Sequence, residues 1–242
     1  MKFSAIFFSL FLLLACGKKS EQAMVKNFSI PAPTAGSSTT GLTYLALGDS
    51  YTIGESVQQM DSFPYQLVAQ LKAANLSMVS EPKIIARTGW TTGELQTAIK
   101  AENLTAKYDI VTLLIGVNNQ YRGDSQAQYK KEFVELLNTA IAFAKGDKKR
   151  VFVVSIPDWG VTPFAKQSGR NAKVIAEEID AFNAINRAET MAMGISYTDI
   201  TPGSRNAATD ATLIAADGLH PSGKMYLDWA KKVAPAVVNA VK

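Results

Sequence analysis

The sequence predicts a three-layer α/β/α sandwich built around a central, mostly parallel sheet of about five strands. Three observations support this fold class: five short segments are largely apolar, amphipathic helical segments lie between them, and 47% of the 242 residues are hydrophobic. Strands that are apolar throughout are covered on both faces, and helices between strands indicate parallel crossovers. A chain of this length buries one core of ordinary size, so we expect one domain.

The predicted strands end at residues that stop an extended segment. The clearest strand, 110–115, is apolar apart from one threonine and stops at Gly116. The first, 43–47, runs into Gly48, and the fourth, 151–156, stops at Pro157. The segments 83–86 and 195–198 complete the sheet, because both are short and bounded by polar or turn-forming residues.

Five longer helices are predicted between and after these strands. In the first, Phe63, Leu67 and Leu71 recur at helical spacing after Ser62. The predicted helices cover 63–74, 92–100, 126–145, 171–193 and 224–241, with a bend at Pro235 in the last one. Sheets of this kind bind ligands at the carboxyl ends of their strands, so we expect the functional residues there.

The amino-terminal 41 residues predict where the protein works. Residues 1–15 have a cationic start and an apolar run too short to span a bilayer, which is typical of a signal peptide. The run ends in LLAC, which resembles the bacterial lipobox, and Cys16 is the single cysteine of the chain. We expect a lipid on Cys16, a flexible Pro/Gly/Ser/Thr-rich tether over 16–41, and one folded domain over 42–242. The protein would then be lipid-anchored in a bacterial cell envelope, in the periplasm or on the outer surface. A plain secretory signal with an incidental cysteine is the alternative.

Charge and residue counts exclude several classes of protein. The net charge is only +4, and no basic cluster exceeds the three residues 148–150, so we expect no nucleic-acid partner. One cysteine and one histidine exclude internal disulfides and nearly exclude a zinc site of the cysteine/histidine type. We expect neither a metal nor an organic cofactor. Any chemistry that needs an imidazole must use His220.

The residues after the predicted strands, with a short segment near the carboxyl terminus, match the needs of acyl transfer by a serine. That chemistry requires a hydroxyl, a base, a carboxylate that orients the base, and hydrogen-bond donors for the developing oxyanion. Ser50 follows the first strand at a turn into a helix, and His220 is the one base of suitable type. Asp217 stands three residues earlier on a tight turn and could reach the far nitrogen of the ring. Gly89 offers an unobstructed backbone N–H, and Asn118 offers an amide donor.

Four blocks in this order carry a resemblance to a known family. They are Gly48-Asp49-Ser50, Gly89, Gly116-Val117-Asn118 and Asp217-Gly218-Leu219-His220. Over residues 43–242 the chain resembles the SGNH or GDSL hydrolases. The resemblance implies their flavodoxin-like α/β fold, with Ser50 as nucleophile, His220 as general base and Asp217 as the orienting carboxylate. It also implies an oxyanion hole formed by the N–H groups of Ser50 and Gly89 and the side chain of Asn118.

Four further residues are candidates for substrate binding. Asn119 stands where the family often has an aspartate, and Tyr51 follows the nucleophile where the family often has a leucine. Trp90 and Trp159 lie just beyond strand ends, where aromatic rings could line an acyl or sugar pocket. Packing in the core or anchoring of a loop explains each of them equally well. The segment 121–124 follows Asn118 and is expected at the rim of the cleft.

The sequence thus predicts a serine esterase that forms an acyl-enzyme and hydrolyses O-acyl esters. The substrate would be a short-acyl carbohydrate ester, a lysophospholipid or a small lipid ester. The absence of a long apolar lid segment favours small or polar acyl groups. A thioesterase or acyltransferase would use the same residues, and a glycan- or lipid-binding surface lipoprotein without turnover is a third hypothesis. The natural ester, the acyl acceptor and the oligomeric state stay open.

Overall fold

The computed structural model describes residues 41–78 and 81–242. The predicted signal peptide, Cys16 and all of the tether except Gly41 lie outside the described residues. Within the described part, no helix combines the length and the apolar character needed to cross a membrane.

The centre of the described domain is a parallel sheet in the order β2-β1-β3-β4-β5. Its five strands within the described residues are β1 (Tyr44–Gly48), β2 (Lys83–Ala86), β3 (Ile110–Leu114), β4 (Val151–Val154) and β5 (Ser196–Thr198). Every residue of β1, β3 and β4 is buried, as expected for strands covered on both faces. The predicted fold class and all five predicted strands are therefore confirmed.

Helices follow or connect the strands of the described domain. They are α1 (Ser50–Ile53), α2 (Phe63–Ala73), α3 (Thr92–Glu102), α4 (Val117–Arg122), α5 (Gln126–Phe143), α6 (Pro163–Gln167), α7 (Ala172–Ala192), α8 (Thr201–Ser204) and α9 (Gly223–Val241). The five predicted helices are confirmed within one or two residues at most ends. Pro235 lies inside α9, which runs on to Val241. No bounds were predicted for the short helices α1, α4, α6 and α8, although Ser50 was placed at a turn into a helix, where α1 begins.

Side-chain caps explain where four of the five long helices begin. Thr91 accepts from the Glu94 N–H while the Glu94 carboxylate accepts from the Thr91 N–H, which is a complete capping box at the start of α3. Ser125, Asn171 and Ser222 cap α5, α7 and α9 through their side-chain oxygens.

The long helices form two packed groups, which are the outer layers of the sandwich. Helix α2 packs against α9, and α5 packs against both α3 and α7. Ring contacts such as Phe63 with Trp229, 6.5 Å between centroids, join the first pair. From β1 the chain passes to β2 on one side of it and then returns to β3 on its other side. Folds of this kind bind ligands in the crevice between the carboxyl ends of the two strands at which the order reverses, which are β1 and β3 here.

Candidate active site

Ser50 lies at the carboxyl end of β1 and is the first residue of α1. The preceding Asp49 caps this short helix, because its Oδ1 accepts from the Tyr51 N–H at 3.0 Å. The cap turns the chain sharply out of the sheet, so Ser50 is held at the carboxyl end of β1. Ser50 is only 4% exposed, yet it lines a cavity of about 190 Å³.

Asp217 and His220 form a direct pair on the tight turn that precedes α9. Asp217 Oδ2 lies 2.5 Å from His220 Nδ1, and Oδ1 accepts from the backbone N–H groups of Leu219 (2.9 Å) and His220 (3.0 Å). Ser56, in the loop after α1, donates to the same Oδ2 at 2.7 Å. Partial burial raises the pKa of Asp217, but these hydrogen bonds outweigh it and lower the pKa to about 2. The carboxylate is therefore charged, and it holds the imidazole by accepting a hydrogen bond from His220 Nδ1.

Asn118 is the second residue of α4 and is placed by the residue that caps that helix. Gly116 has a φ of +127°, and a Cβ there would lie 2.3 Å from the Tyr129 hydroxyl, so a side chain does not fit. Asn118 Nδ2 donates to the Trp90 carbonyl at 3.0 Å, which leaves its second N–H available. The guanidinium of Arg122 donates to the Gly89 carbonyl at 2.5 Å, which fixes the backbone of Gly89.

The same cavity brings together Ser50, Gly89, Asn118 and His220. These residues come from the ends of β1 and β3, from the loop after β2 and from the turn before α9. Among the described residues, no hydrogen bond joins the Ser50 hydroxyl to His220. Such contacts are often long in an enzyme without substrate and tighten when the reacting complex forms.

The remaining lining is mostly apolar, and it includes two of the four predicted binding residues. Tyr51 and Trp159 line the cavity; the other lining side chains are Thr88, Val117, Tyr121, Phe164 and Leu219. The Tyr51 ring also stands edge-on to His220, 5.6 Å between centroids. Tyr121 belongs to the segment expected at the rim, and it is 48% exposed there.

The structure places the other two binding candidates, Asn119 and Trp90, outside the lining of this cavity. Asn119 is buried away from the cavity, where its Oδ1 accepts from the Thr92 N–H at 3.0 Å and its Nδ2 donates to Thr92 Oγ1 and Asp124. It is therefore a structural amide that fixes α4 against the start of α3. Trp90 packs against the core beside Ile84, and its contact with the site is through its backbone carbonyl.

Sequence reasoning missed Phe164, Leu219, Val117 and Thr88 as lining residues and Ser56 as a partner of Asp217. Two signals were available: Leu219 lies between the paired acid and base, and Val117 with Tyr121 has the i,i+4 spacing of one helix face. Phe164 carries no such signal. Among the described residues, no cluster of three or more acidic, histidine or cysteine side chains is placed to hold a metal.

Comparison with known proteins shows the family of the chain. The model of the GDSL-like lipase/acylhydrolase family matches residues 46–227. The chain therefore belongs to the GDSL-like lipase/acylhydrolase family, and the predicted class of ester hydrolase is confirmed at this level. No curated protein sequence matches the chain.

Solved structures share the fold at low identity. The lipase/acylhydrolase from Enterococcus faecalis is 19% identical with a TM-score of 0.63, over 83% of this chain and 97% of that one. The acetylxylan esterase Axe2 from Geobacillus stearothermophilus is 17% identical with a TM-score of 0.60, over 83% and 94%. The psychrotrophic esterase EstA from Pseudoalteromonas sp. is 16% identical with a TM-score of 0.58, over 82% and 96%. At these identities the likeness shows the fold alone.

Proposed function

We propose that the protein is a serine esterase in which Ser50, His220 and Asp217 hydrolyse O-acyl esters through an acyl-enzyme. The observation that carries the proposal is the shared cavity. It holds the hydroxyl of Ser50, the imidazole of His220 and the candidate donors Gly89 and Asn118, while Asp217 lies 2.5 Å from the imidazole.

In the proposed first half-reaction, Ser50 Oγ attacks the ester carbonyl carbon and His220 Nε2 takes the hydroxyl proton. Asp217 keeps the proton of the neutral ring on Nδ1 and stabilises the imidazolium that forms. The negative charge on the carbonyl oxygen is met by the N–H groups of Ser50 and Gly89 and by the free N–H of Asn118. The C–O bond to the alcohol then breaks, and His220 gives its proton to the leaving oxygen.

In the second half-reaction a water molecule takes the place of the alcohol. His220 removes a proton from that water, the hydroxide attacks the acyl carbon, and Ser50 leaves with the proton that His220 returns. The products are the alcohol, the carboxylic acid and the free enzyme. The small cavity favours short acyl esters of a carbohydrate or of a small lipid, and the acetylxylan esterase among the structural neighbours is consistent with the former.

The experiment compares hydrolysis of p-nitrophenyl acetate and octanoate by the full chain with hydrolysis by Ser50→Ala and His220→Ala. Each substitution should lower kcat by a factor on the order of 10³ or more, because the parts of such a triad act as a unit. A fluorophosphonate probe should label the parent but not Ser50→Ala. Ser125→Ala, an exposed serine that caps α5, is the matched control and should keep both activity and labelling. An active Ser50→Ala protein contradicts the proposal.

We also propose that the protein is held in a bacterial cell envelope by a lipid on Cys16. The support is the sequence: a short apolar segment with a cationic start, a lipobox-like LLAC, and a single cysteine at its end. Growth with an alkyne fatty acid should label the full chain, and Cys16→Ala should lose both the label and the membrane fraction. A Cys16→Ala chain that stays labelled contradicts the anchor.

A further inference from the structure

The loop between β2 and α3 carries the Gly89 N–H, one of the proposed donors to the oxyanion. Its residues Arg87–Trp90 form a four-residue turn, because the Trp90 N–H donates to the Arg87 carbonyl at 3.2 Å. Gly89 is the third residue of this turn and has a φ of +86°, whereas Thr88, the second residue, has a negative φ. This combination of angles defines a type II turn.

The direction of the Gly89 N–H depends on the type of this turn. That N–H belongs to the peptide unit between Thr88 and Gly89, which is the central unit of the turn. Turns of type I and type II differ mainly by a rotation of the central unit by roughly 180°. A turn that left the type II form would therefore move this donor away from the position that it has in the structure.

Arg122, the last residue of α4, holds the turn through a backbone carbonyl. Its Nη2 donates to the Gly89 carbonyl at 2.5 Å. The same guanidinium pairs with Glu94, with Nη1 3.3 Å from Oε1 and Nη2 3.2 Å from Oε2. Glu94 is itself fixed, because its Oε2 accepts from the N–H and the hydroxyl of Thr91. The hydrogen bond from the Thr91 N–H, together with the guanidinium, lowers the pKa of Glu94, so this partner of Arg122 is charged.

One face of α4 holds two successive carbonyls of the loop. Asn118 and Arg122 are four residues apart on this helix and therefore lie on the same face. Asn118 Nδ2 donates to the Trp90 carbonyl at 3.0 Å, next to the Gly89 carbonyl that Arg122 holds. The helix that supplies one proposed oxyanion donor thus also fixes the loop that supplies another.

The turn is also tied to the segment that follows the nucleophile. The Thr88 hydroxyl donates to Glu55, two residues after the end of α1, and α1 begins with Ser50. Among the described residues, the Arg122 side chain is the one group that donates to the Gly89 carbonyl. Replacing Arg122 therefore frees that carbonyl, while the contact between Thr88 and Glu55 stays in place.

We propose that Arg122 is a positioning residue of the active site: its guanidinium keeps the turn Arg87–Trp90 in the type II form and so holds the Gly89 N–H in the oxyanion hole. The inference rests on the proposed function. The side chains of Arg122 and Glu94 are 46% and 45% exposed, so their ion pair contributes little to the stability of the fold. The effect of Arg122 is on the orientation of one peptide unit, which affects the reaction when negative charge develops on the substrate.

The experiment measures kcat and KM for p-nitrophenyl acetate on the full chain and on three variants. Arg122→Ala should lower kcat about 10- to 100-fold and keep KM within about twofold, because one oxyanion donor is worth about 10²–10³ in kcat and the freed turn leaves the type II form for part of the time. Arg122→Lys retains a donor for the Gly89 carbonyl and should stay within about fivefold of the parent. Lys83→Ala is the matched control, because it removes an ion pair of similar exposure, with Glu102, at the start of β2. It should leave both constants unchanged.

Two further readouts distinguish positioning of the donor from a general loss of structure. n-Butylboronic acid forms a tetrahedral adduct with a reactive serine, so its Ki for Arg122→Ala should rise by about the same factor by which kcat/KM falls. The pH at which kcat/KM declines should not move, because Asp217 and His220 keep their contacts. The midpoint of urea unfolding should change by less than about 0.5 M.

A measurement without substrate separates failure of this inference from failure of the proposed function. The full chain is labelled with ¹⁵N-glycine, and the Gly89 signal is assigned by its loss in Gly89→Ala. In Arg122→Ala this signal should move or broaden by exchange on the μs–ms timescale, and in Arg122→Lys it should stay as in the parent.

If the parent hydrolyses no ester but the Gly89 signal responds in this way, the proposed function fails and Arg122 still fixes the turn. If esters are hydrolysed and Arg122→Ala keeps kcat, the inference is overturned and the function stands. The same holds if KM alone rises, because the guanidinium then contacts the substrate instead, or if the Gly89 signal is unchanged.

Discussion

Asp49 should make the folded protein less stable as the pH rises, and Asp49→Asn should remove that effect. The carboxyl group is fully buried directly before Ser50. Its Oδ1 accepts from the Tyr51 N–H, whereas its Oδ2 has no hydrogen-bond partner among the described residues. Burial disfavours the charged form and raises the pKa of Asp49 to about 7, although the hydrogen bond from Tyr51 opposes it.

The sign of the effect follows from proton binding. Between pH 3.8 and about 7 the folded protein keeps a proton on Asp49 that the unfolded chain has released. The stability contributed by that proton is complete below about pH 4 and is lost as the pH rises to about 7. A shift of roughly three pKa units, at about 1.4 kcal/mol each, sets an upper limit of about 4 kcal/mol on the loss.

Asparagine has nearly the same shape, keeps the capping oxygen for Tyr51, and has no charge to bury. Asp49→Asn should therefore be within about 1 kcal/mol of the parent at pH 4.5, where both side chains are neutral. At pH 8 it should be more stable than the parent by about 2–4 kcal/mol. The assay is urea unfolding of the full chain at both pH values, with the slope m compared to check that the unfolded states match.

The matched control is Asp210, a half-buried aspartate that caps residues 211–213 in the same way. Its hydrogen bonds with Lys224 and Thr212 lower its pKa to about 2, so Asp210→Asn should lose stability at pH 8. The two asparagine variants thus shift in opposite directions. An Asp49→Asn protein that is destabilised at pH 8, or that follows the pH dependence of the parent in parallel, refutes the reasoning.

Three further predictions test the packing around the site. In Gly48→Ala the new Cβ would lie 2.4 Å from the Leu114 carbonyl oxygen in the centre of the sheet, so urea unfolding should show a free energy of unfolding lower by about 1–3 kcal/mol. In Gly93→Ala, the control on α3, the new Cβ makes only ordinary contacts, so the free energy of unfolding should rise by up to about 1 kcal/mol. Ser56→Gly removes a hydroxyl donor to Asp217 at a position with φ +65°, so kcat/KM for p-nitrophenyl acetate should fall about two- to tenfold without loss of folding; unchanged kinetics would show that water replaces the hydroxyl. Because the pKa of Asp217 is lowered to about 2, the stability that its carboxylate contributes is present above about pH 4 and is lost as the pH falls from 4 to 2. The thermal unfolding midpoint of Asp217→Asn should therefore vary less between pH 4 and pH 2 than the midpoint of the parent does.

The long elements could be predicted from the sequence because each is specified locally. Strand β3 is apolar apart from Thr112 and lies between two helices, and the capping box Thr91–Glu94 marks the start of α3. The short helices α1 and α4 could not be predicted in this way. They have four and six residues, too few for a helical period to show, and they form because a cap turns the chain at the end of a buried strand.

The residues proposed to react could be singled out from the sequence because the chemistry restricts residue type. Only one histidine is present, and an aspartate three residues before it reaches Nδ1 once Gly218 adopts its turn, with a φ of +74°. The cavity lining has no such restriction. Phe164 contributes a ring that any large apolar residue could replace, and it reaches the site because its N–H donates to the Gly218 carbonyl at 2.9 Å. That contact between distant parts of the chain is a property of the topology and leaves no local pattern.

Trp90 and Trp159 show how the sheet order decides between two residues with the same sequence signal. Each follows a strand end, yet Trp90 follows β2 at the edge of the sheet, whereas Trp159 follows β4 in its interior. No further strand covers the outer side of β2, and the Trp90 ring lines a groove there beside Ile84 and Ala98. Next to β4 that position is already covered by β5 and α7, and the Trp159 ring packs toward α4 and the cavity instead. Strand order, which cannot be read from the spacing of residues along the sequence, therefore determines which of the two tryptophans lines the cavity.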